Sequence, residues 1–358
     1  MGGILFTADW HIKHTDRIWA HRPQITGDLQ CAMQQVIQYL EQKEPEAVIL
    51  CGDIFDKPTV TAFGLHIFLD FLRVCQKVGA KVYFVQGQHE WSEPPLLRSI
   101  STQCEHLHNK RVYANSTYLY GLDIMRDPPE KPLDIAADIL VTHQVWKEFI
   151  PVAGVLSLDM IVGPSVVVSG DYHVPCERTY DSGITLISPG PLVPQALDQI
   201  HDKSLVYLEG ESFVRLPIKA RKIFRIALKV PQHVENFIKE FQQGNYLTPD
   251  YPEPIRQPVI VIDYEPDLKA MAEIRALVGD QVFLIVNPSP GEDMATTASP
   301  LTELPSVESL IVELAGDNKL IADLSLSYWR AGLGPIRAYF ETDELKGFLD
   351  ESKTRTPK

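Results

Sequence analysis

Short apolar runs alternate with longer amphipathic stretches along the first half of the chain. The runs are Ile4–Ala8, Ala47–Cys51, Lys81–Val85, Ile139–Thr142 and Val166–Ser169. Each is rich in Val, Ile or aromatic residues and stops abruptly at polar ones, as a buried strand does. Between them, Leu29–Gln42 carries Met33, Val36, Ile37 and Leu40 at helical spacing, which predicts a helix with one apolar face. Phe63–Val78 predicts a second. Alternation of strand and helix predicts an α/β fold with helices covering a sheet. From Ile184 to Leu216, Pro and Gly break the pattern into short strands, which predicts a shift towards antiparallel pairing.

Arg215, Lys219, Arg221, Lys222 and Arg225 then fall close together, and a domain boundary is expected at 217/218. Beyond it the pattern reads strand (Ile223–Val230), helix (Pro231–Gln242), strand (Val259–Tyr264), helix (Leu268–Leu277) and strand (Gln281–Val286). The expected organisation is a main domain over 1–217, a small α/β cap over 218–290, a polar linker over 291–304 and a helical tail over 305–358. Within the tail, Ser306–Leu314, Lys319–Tyr328 and Ile336–Leu349 have amphipathic helical spacing.

With 358 residues, 45% apolar and 22% charged, the chain can build a core without disulfide staples or a structural metal. The net charge of −14 argues against holding nucleic acid by bulk positive charge, while leaving room for a local basic patch or for metal ions. Much of the acidity gathers late: from Glu292 to Glu351 acids outnumber bases twelve to four. Cys31, Cys51, Cys75, Cys104 and Cys176 are scattered without a C-x-x-C pair, which predicts reduced, mostly buried thiols in a cytoplasmic protein. Asp9 interrupts the N-terminus before a signal-peptide core forms. No apolar run nears the roughly 20 residues of a membrane span.

The candidate chemistry lies where the strands end. The five runs lead into Asp9-Trp10-His11, Gly52-Asp53-Ile54-Phe55-Asp56, Gly87-Gln88-His89-Glu90, His143-Gln144 and Gly170-Asp171-Tyr172-His173. In open α/β sheets ligands bind at that carboxyl edge. Any one of these segments alone reads as an ordinary surface turn. Five in phase with five strands point to a metal centre. Mixed imidazole and carboxylate donors without Cys point to Mn²⁺, Fe or Zn²⁺ rather than a Ca²⁺ cage.

These segments resemble the calcineurin-like metallophosphoesterase pattern D-x-H, G-D-x-x-D, G-N-H-[DE], H and G-H-x-H. Closer in detail are the SbcD-type double-strand-break nucleases, including phage recombination nuclease subunits, which open with D-W-H, use G-D-I-F-D, and add a cap and a helical tail. The resemblance implies a metallophosphoesterase β-sandwich flanked by helices. It implies two divalent metal ions, most readily Mn²⁺, with Mg²⁺ or Fe as alternatives. Asp9, His11 and His173 would hold the first and Gln88, His143 and Asp171 the second, with Asp53 bridging them. His89 would act on the phosphate or its leaving oxygen, Glu90 would orient His89, and Asp56 would brace its turn. Gln88 stands where the family has Asn and Asp171 where it has His, so both departures fall on the second metal. The implied activity is DNA end or hairpin processing. The implied partners are DNA, an SbcC-type ABC ATPase with a coiled coil docked on the tail, and a second copy of the chain, in a bacterial or phage-infected cytoplasm.

Other residues carry weaker readings. His14, Arg215, Lys219, Arg221 and Lys222 are candidates for substrate contact. His66, His106, His108, His201 and His233 read as structural. Trp10 and Trp91 read as packing beneath the site, and Tyr172 stays open between packing and substrate contact. Two other functions stay open at this stage. One is a metallophosphoesterase for nucleotides, cyclic nucleotides or phosphoproteins. The other is a catalytically weak scaffold for the ATPase.

Overall fold

Residues 2–13, 15, 25–151, 154–263 and 268–287 are described in the computed structural model. The chain divides into two units, Met1–Ser289 and Pro290–Lys358. His14, the expected linker (291–304) and the expected tail helices (305–358) lie outside the described residues.

Five apolar runs become five strands, distributed over two sheets. The first sheet contains β1 (Ile4–Thr7), β2 (Ala47–Cys51), β3 (Lys81–Val85) and β4 (Cys104–His106), all parallel. It continues through the antiparallel β13 (Lys203–Glu209) and β14 (Ser212–Ile218) in the order β14-β13-β1-β2-β3-β4. The second has the order β11-β12-β10-β8-β6-β5. Its parallel centre is β6 (Thr117–Leu122), β8 (Ile139–His143), β10 (Val166–Gly170) and β12 (Thr185–Ser188). The edges β5 (Arg111–Ala114) and β11 (Cys176–Thr179) run antiparallel. A two-stranded ribbon joins β7 (Leu133–Asp134) to β9 (Ile161–Val162).

The sheets face each other across a dry layer that includes Phe6, Ile49, Val85, Val141, Val168 and Val206. The outer face of the first sheet, with Leu5, Val48, Leu50 and Phe84, packs against α1 (Asp28–Lys43) and α2 (Ala62–Val78) through Met33, Val36, Leu40, Phe68 and Phe71. A third helix, α3 (Leu96–Ile100), leads into β4. Because their strands are covered on both faces, they read as continuous apolar runs rather than alternating ones. Burial of each such Phe contributes about 1.5–3 kcal/mol to the sandwich core.

The small α/β unit is a parallel sheet of β15 (Ile223–Ala227), β16 (Val259–Asp263) and β17 (Phe283–Asn287). One face, with Ile260 and Ile262, lies under α4 (Pro231–Gln242) and α5 (Leu268–Val278). The opposite face, with Ile223, Val259, Val261 and Ile285, is seated on Ile25 and Leu197 of the sandwich. Arg221 locks that seam. It is 2% exposed and grips Asp28 at the start of α1 with two bonds of 2.9 and 3.0 Å.

Candidate metal centre

The carboxyl ends of β1, β2 and β3 meet those of β8 and β10 at one edge of the sandwich. The β1 and β2 exits are zipped together by backbone bonds from Asp9 N to Gly52 O (3.1 Å), His11 N to Asp53 O (3.0 Å) and Ile12 N to Ile54 O (2.9 Å). Asp9, His11, Asp53 and Asp171 all take left-handed backbone, with φ of 54°, 46°, 52° and 75°. Such conformations are uncommon outside Gly and cluster at functional sites. Gly87 makes room for the centre, since a Cβ there would lie 2.1 Å from Asp53 Oδ1. Gly52 does the same for His143, whose Nδ1 lies 2.4 Å from where a Cβ would be.

Three donor sets form among the described residues: Asp9, His11 and His173 bring one ligand atom each within 4.8 Å of one another, and so do Asp9, Asp53 and His143, and His11, Asp56 and His89. Asp53 Oδ1 accepts from the His89 amide at 2.9 Å, while Oδ2 points into the centre. That Oδ2 lies 3.3 Å from His143 Nε2, 3.9 Å from His11 Nε2 and 3.9 Å from His89 Nε2. Asp9 Oδ2, Asp53 Oδ2 and His143 Nε2 are buried and have no hydrogen-bond partner. The 3.3 Å approach is close enough for charge attraction but misaligned for a hydrogen bond. Buried polar atoms are almost always satisfied, and these three orphans belong to residues whose ligand atoms gather within 4.8 Å of one another, which fits a divalent cation. The tautomer fits as well. His143 Nδ1 donates to the Cys51 carbonyl at 2.7 Å, which leaves Nε2 as the ligating nitrogen.

The acids and imidazoles of the centre pair with one another, and His143 has to release its Nε2 proton before it can ligate. Burial alone would raise Asp53 and lower His143. Their mutual attraction reverses both, holding Asp53 at about 2 and His143 at about 10, helped by His11 and His89 on one side and Asp9 and Asp171 on the other. His11 is driven by burial down to about 4 despite Asp9 and Asp53, so it is neutral and able to ligate.

The remaining expected ligands sit at the border. Gln88 Nε2 donates to Asp171 Oδ1 at 2.7 Å, so the two departures from the family pattern touch each other. Asp171 Oδ1 is 3.9 Å from His143 Nε2. His89 is 43% exposed on its side chain, and its Nδ1 donates to the Asp56 carbonyl at 3.2 Å, leaving Nε2 on the side of Asp53. Asp56 Oδ1 also lies 3.7 Å from His11 Nδ1.

Several readings change. Glu90 carries its hydrogen bonds to the Ile54 and Phe55 amides, both 3.0 Å, rather than to His89. It braces the Asp53 turn, and burial together with Asp53 pushes its carboxyl up to about 8. Arg221 is walled into the seam and cannot meet substrate. Arg215 is half-buried and donates to Ser204 Oγ and to the Cys176 and Ser188 carbonyls. Lys222 pairs with Asp202. Lys219 stays exposed, its Nζ 3.3 Å from the Asp250 carbonyl. Trp10 packs edge-on against Phe71 at 5.0 Å as expected, whereas Trp91 is 42% exposed. Tyr172 stacks on Phe149 at 4.3 Å. All five cysteines are free thiols.

Two supporting residues carry no motif. Asp123 accepts from the Gln86 amide at 2.7 Å and from His106 Nε2 at 2.8 Å, fixing the base of the Gly87–His89 turn. Gln199 reaches His173 Nδ1 at 2.8 Å from a distant loop.

Comparison with known proteins agrees with the site. The calcineurin-like phosphoesterase family model matches residues 3–175. The DNA double-strand break repair protein Mre11 of Nanoarchaeum equitans (strain Kin4-M) is 28% identical over 87 residues, 24% of this chain and 23% of that protein. The chain thus aligns with about a quarter of that relative's length. Among solved structures, TT1561 of Thermus thermophilus is 11% identical with a TM-score of 0.37, covering 61% of this chain and 99% of that one. A second solved chain is 10% identical with a TM-score of 0.38 over the same shares. Every candidate ligand falls between residues 3 and 175, and that segment is a calcineurin-like phosphoesterase domain, of a family of metal-dependent hydrolases.

Proposed function

We propose that this chain is a two-metal, Mn²⁺-type DNA phosphodiesterase that processes DNA ends or hairpins. The observation that carries the metal reading is that Asp9, Asp53 and His143 gather their ligand atoms within 4.8 Å and each buries an unpartnered polar atom, beside the exposed His89. Asp9, His11 and His173 would hold one ion and His143, Gln88 and Asp171 the other, with Asp53 between them. Bound there, the ions supply Lewis-acid charge to the phosphoryl oxygens and lower the pKa of a water. The chain's own part is to orient and to move a proton. The Asp56 carbonyl fixes the His89 tautomer, so Nε2 is the nitrogen that exchanges a proton with the leaving or attacking oxygen. The left-handed turns at Asp9, His11 and Asp53 hold their carboxylate and imidazole groups aimed inward before any ion arrives.

DNA as substrate is supported by the stretch similar to Mre11, a protein named for double-strand break repair. Coupling to an SbcC-type ATPase through the 305–358 tail, and pairing with a second copy, rest on the resemblance of the strand-end motifs to SbcD-type nucleases; the amphipathic spacing of the tail is what a docking segment requires. A cytoplasmic setting is supported by the free thiols. No helix among the described residues is long and apolar enough to cross a membrane.

The test is digestion of end-labelled duplex and hairpin DNA with Mn²⁺, with and without the ATPase, set against a small chromogenic phosphodiester. Metal-dependent cleavage of the DNA substrates is expected. Turnover of the chromogenic ester with DNA left intact would replace this reading by a small-substrate phosphoesterase.

A further inference from the structure

Two of the three imidazoles proposed as ligands are held in opposite ways. His143 donates Nδ1–H to a carbonyl, the Cys51 oxygen at 2.7 Å. His173 instead has its Nδ1 against the Gln199 side chain at 2.8 Å. The Gln199 amide is already committed, because its Oε1 accepts the Gln195 backbone N–H at 2.8 Å. Only its Nε2, a pure donor, is left for the ring. A neutral imidazole carries one N–H and one lone pair. Facing a donor, Nδ1 must supply the lone pair, and the proton then sits on Nε2. His11 Nε2 lies 3.4 Å from His173 Nε2, within reach of that proton. A ring that ligates through Nε2 needs the reverse tautomer and an acceptor at Nδ1.

We propose that Gln199 is a positioning residue for His173 whose shared amide weakens closure of the first metal position, because one amide oxygen has to serve both the Gln195 N–H and the His173 ring. The inference rests on the metal reading above. Its geometry is preset by a short loop with little freedom. Gln199 N donates to Ala196 O at 3.2 Å and Ile200 N to Asp198 O at 2.9 Å. Leu197 packs onto the small α/β sheet with Ile223, Val259, Val261 and Ile285. Asp202 pairs with Lys222 across the seam, and the next residue, Lys203, begins β13. The amide therefore cannot drift away from the conflict. On metal uptake it must turn over, taking its oxygen from the backbone N–H, or leave Nδ1–H without an acceptor.

Gln199→Glu resolves the conflict, since a carboxylate offers one oxygen to each donor. Gln199→Leu removes both bonds at similar volume. Ala196→Glu adds the same charge on the same loop without touching the ring. Mn²⁺ alone is titrated into each full-length variant, free ion is read by electron paramagnetic resonance, and thermal unfolding is followed in parallel. Outer partners of metal-bound His typically change affinity by about 10–100-fold. The expected order of the tighter Mn²⁺ site is Gln199→Glu above wild type above Gln199→Leu, with steps within that range, and Ala196→Glu equal to wild type. Wild-type protein that binds Mn²⁺ while Gln199→Glu binds no more tightly than Ala196→Glu would overturn the role of Gln199 alone. So would Gln199→Leu binding as tightly as wild type. Wild-type protein that takes up no Mn²⁺ would remove the metal reading and this inference with it.

Discussion

Replacing Arg221 by Met tests whether this arginine is a seam residue or a substrate contact. The guanidinium is 2% exposed. It gives Asp28 bonds of 2.9 and 3.0 Å and donates further to the carbonyls of Gln257, Thr26 and Pro254. Its face lies 5.2 Å from the centre of the Phe283 ring. Met fills much of the volume and donates nothing. Asp28 then stays buried without a counter-charge, and three carbonyls lose a donor. Breaking a buried pair from one side costs about 3–5 kcal/mol. At about 2–4 °C per kcal/mol for a unit of this size class, the unfolding midpoint should fall by roughly 6–20 °C. Adding Asp28→Asn removes the stranded charge and should recover part of the loss, a coupling of about 0.5–3 kcal/mol in the double-mutant cycle. The assay is thermal unfolding of the single and double variants by circular dichroism, with DNA binding and cleavage measured well below every midpoint. A midpoint within about 2 °C of wild type would refute the reasoning, given the sensitivity quoted above. So would unchanged stability with lost DNA affinity, which would make Arg221 a substrate residue.

Three further outcomes follow from the geometry. Gly87→Ala drives a methyl to within 2.1 Å of Asp53 Oδ1, so Mn²⁺ affinity should fall by at least about 10-fold, as when a metal ligand's support is lost, while the far-ultraviolet spectrum is kept; isothermal titration with Mn²⁺ checks it, and unchanged affinity would contradict the close approach. His89→Ala should lower turnover by about 10²–10⁴-fold with Mn²⁺ uptake unchanged, read by comparing cleavage rates with metal titrations; wild-type turnover would instead favour a scaffold for the ATPase. Lys203 is 3% exposed with its Nζ unpartnered, and burial brings it from 10.5 to about 8. Between those values the unfolded chain holds the extra proton, so wild-type stability rises with pH there. Lys203→Met should erase that rise and add up to roughly 3 kcal/mol below pH 8; urea unfolding of both proteins at about pH 7.5 and about pH 10, which span most of the shift, decides it, parallel pH slopes being the contrary result.

Much of this architecture was legible because the central strands are buried on both faces. Ala47–Cys51 and Lys81–Val85 have the expected bounds, and α1 and α2 extend the expected helices by one residue at one or both ends. The small unit was also readable, since Pro231 opens α4 and the strand runs are continuous. Division of the five strands between two sheets was not, because periodicity does not say which strand a run pairs with. β4, β5 and β6 were missed: β4 is three residues long, and the hairpin exposes Tyr113 and Tyr118. The metal-type residues stood out because each follows a strand end. Arg221 was misread because sequence shows its charge but not Asp28, which is 193 positions away and shares its burial. Gln199 had no signal at all, as its meeting with His173 exists only in the folded chain.

His143 belongs to β8 of the second sheet, yet its ring is wedged against Gly52 and bonded to Cys51 of the first. It therefore works as a dowel between the two sheets as well as a donor to the centre. In the proposed function, metal ligation and sheet alignment share one side chain, so a His143 substitution would shift the sandwich at the same moment that it empties a ligand position. For dissecting chemistry, His89 is the cleaner lesion, and for engineering the active site, the sheet spacing at His143 is the dimension to leave alone.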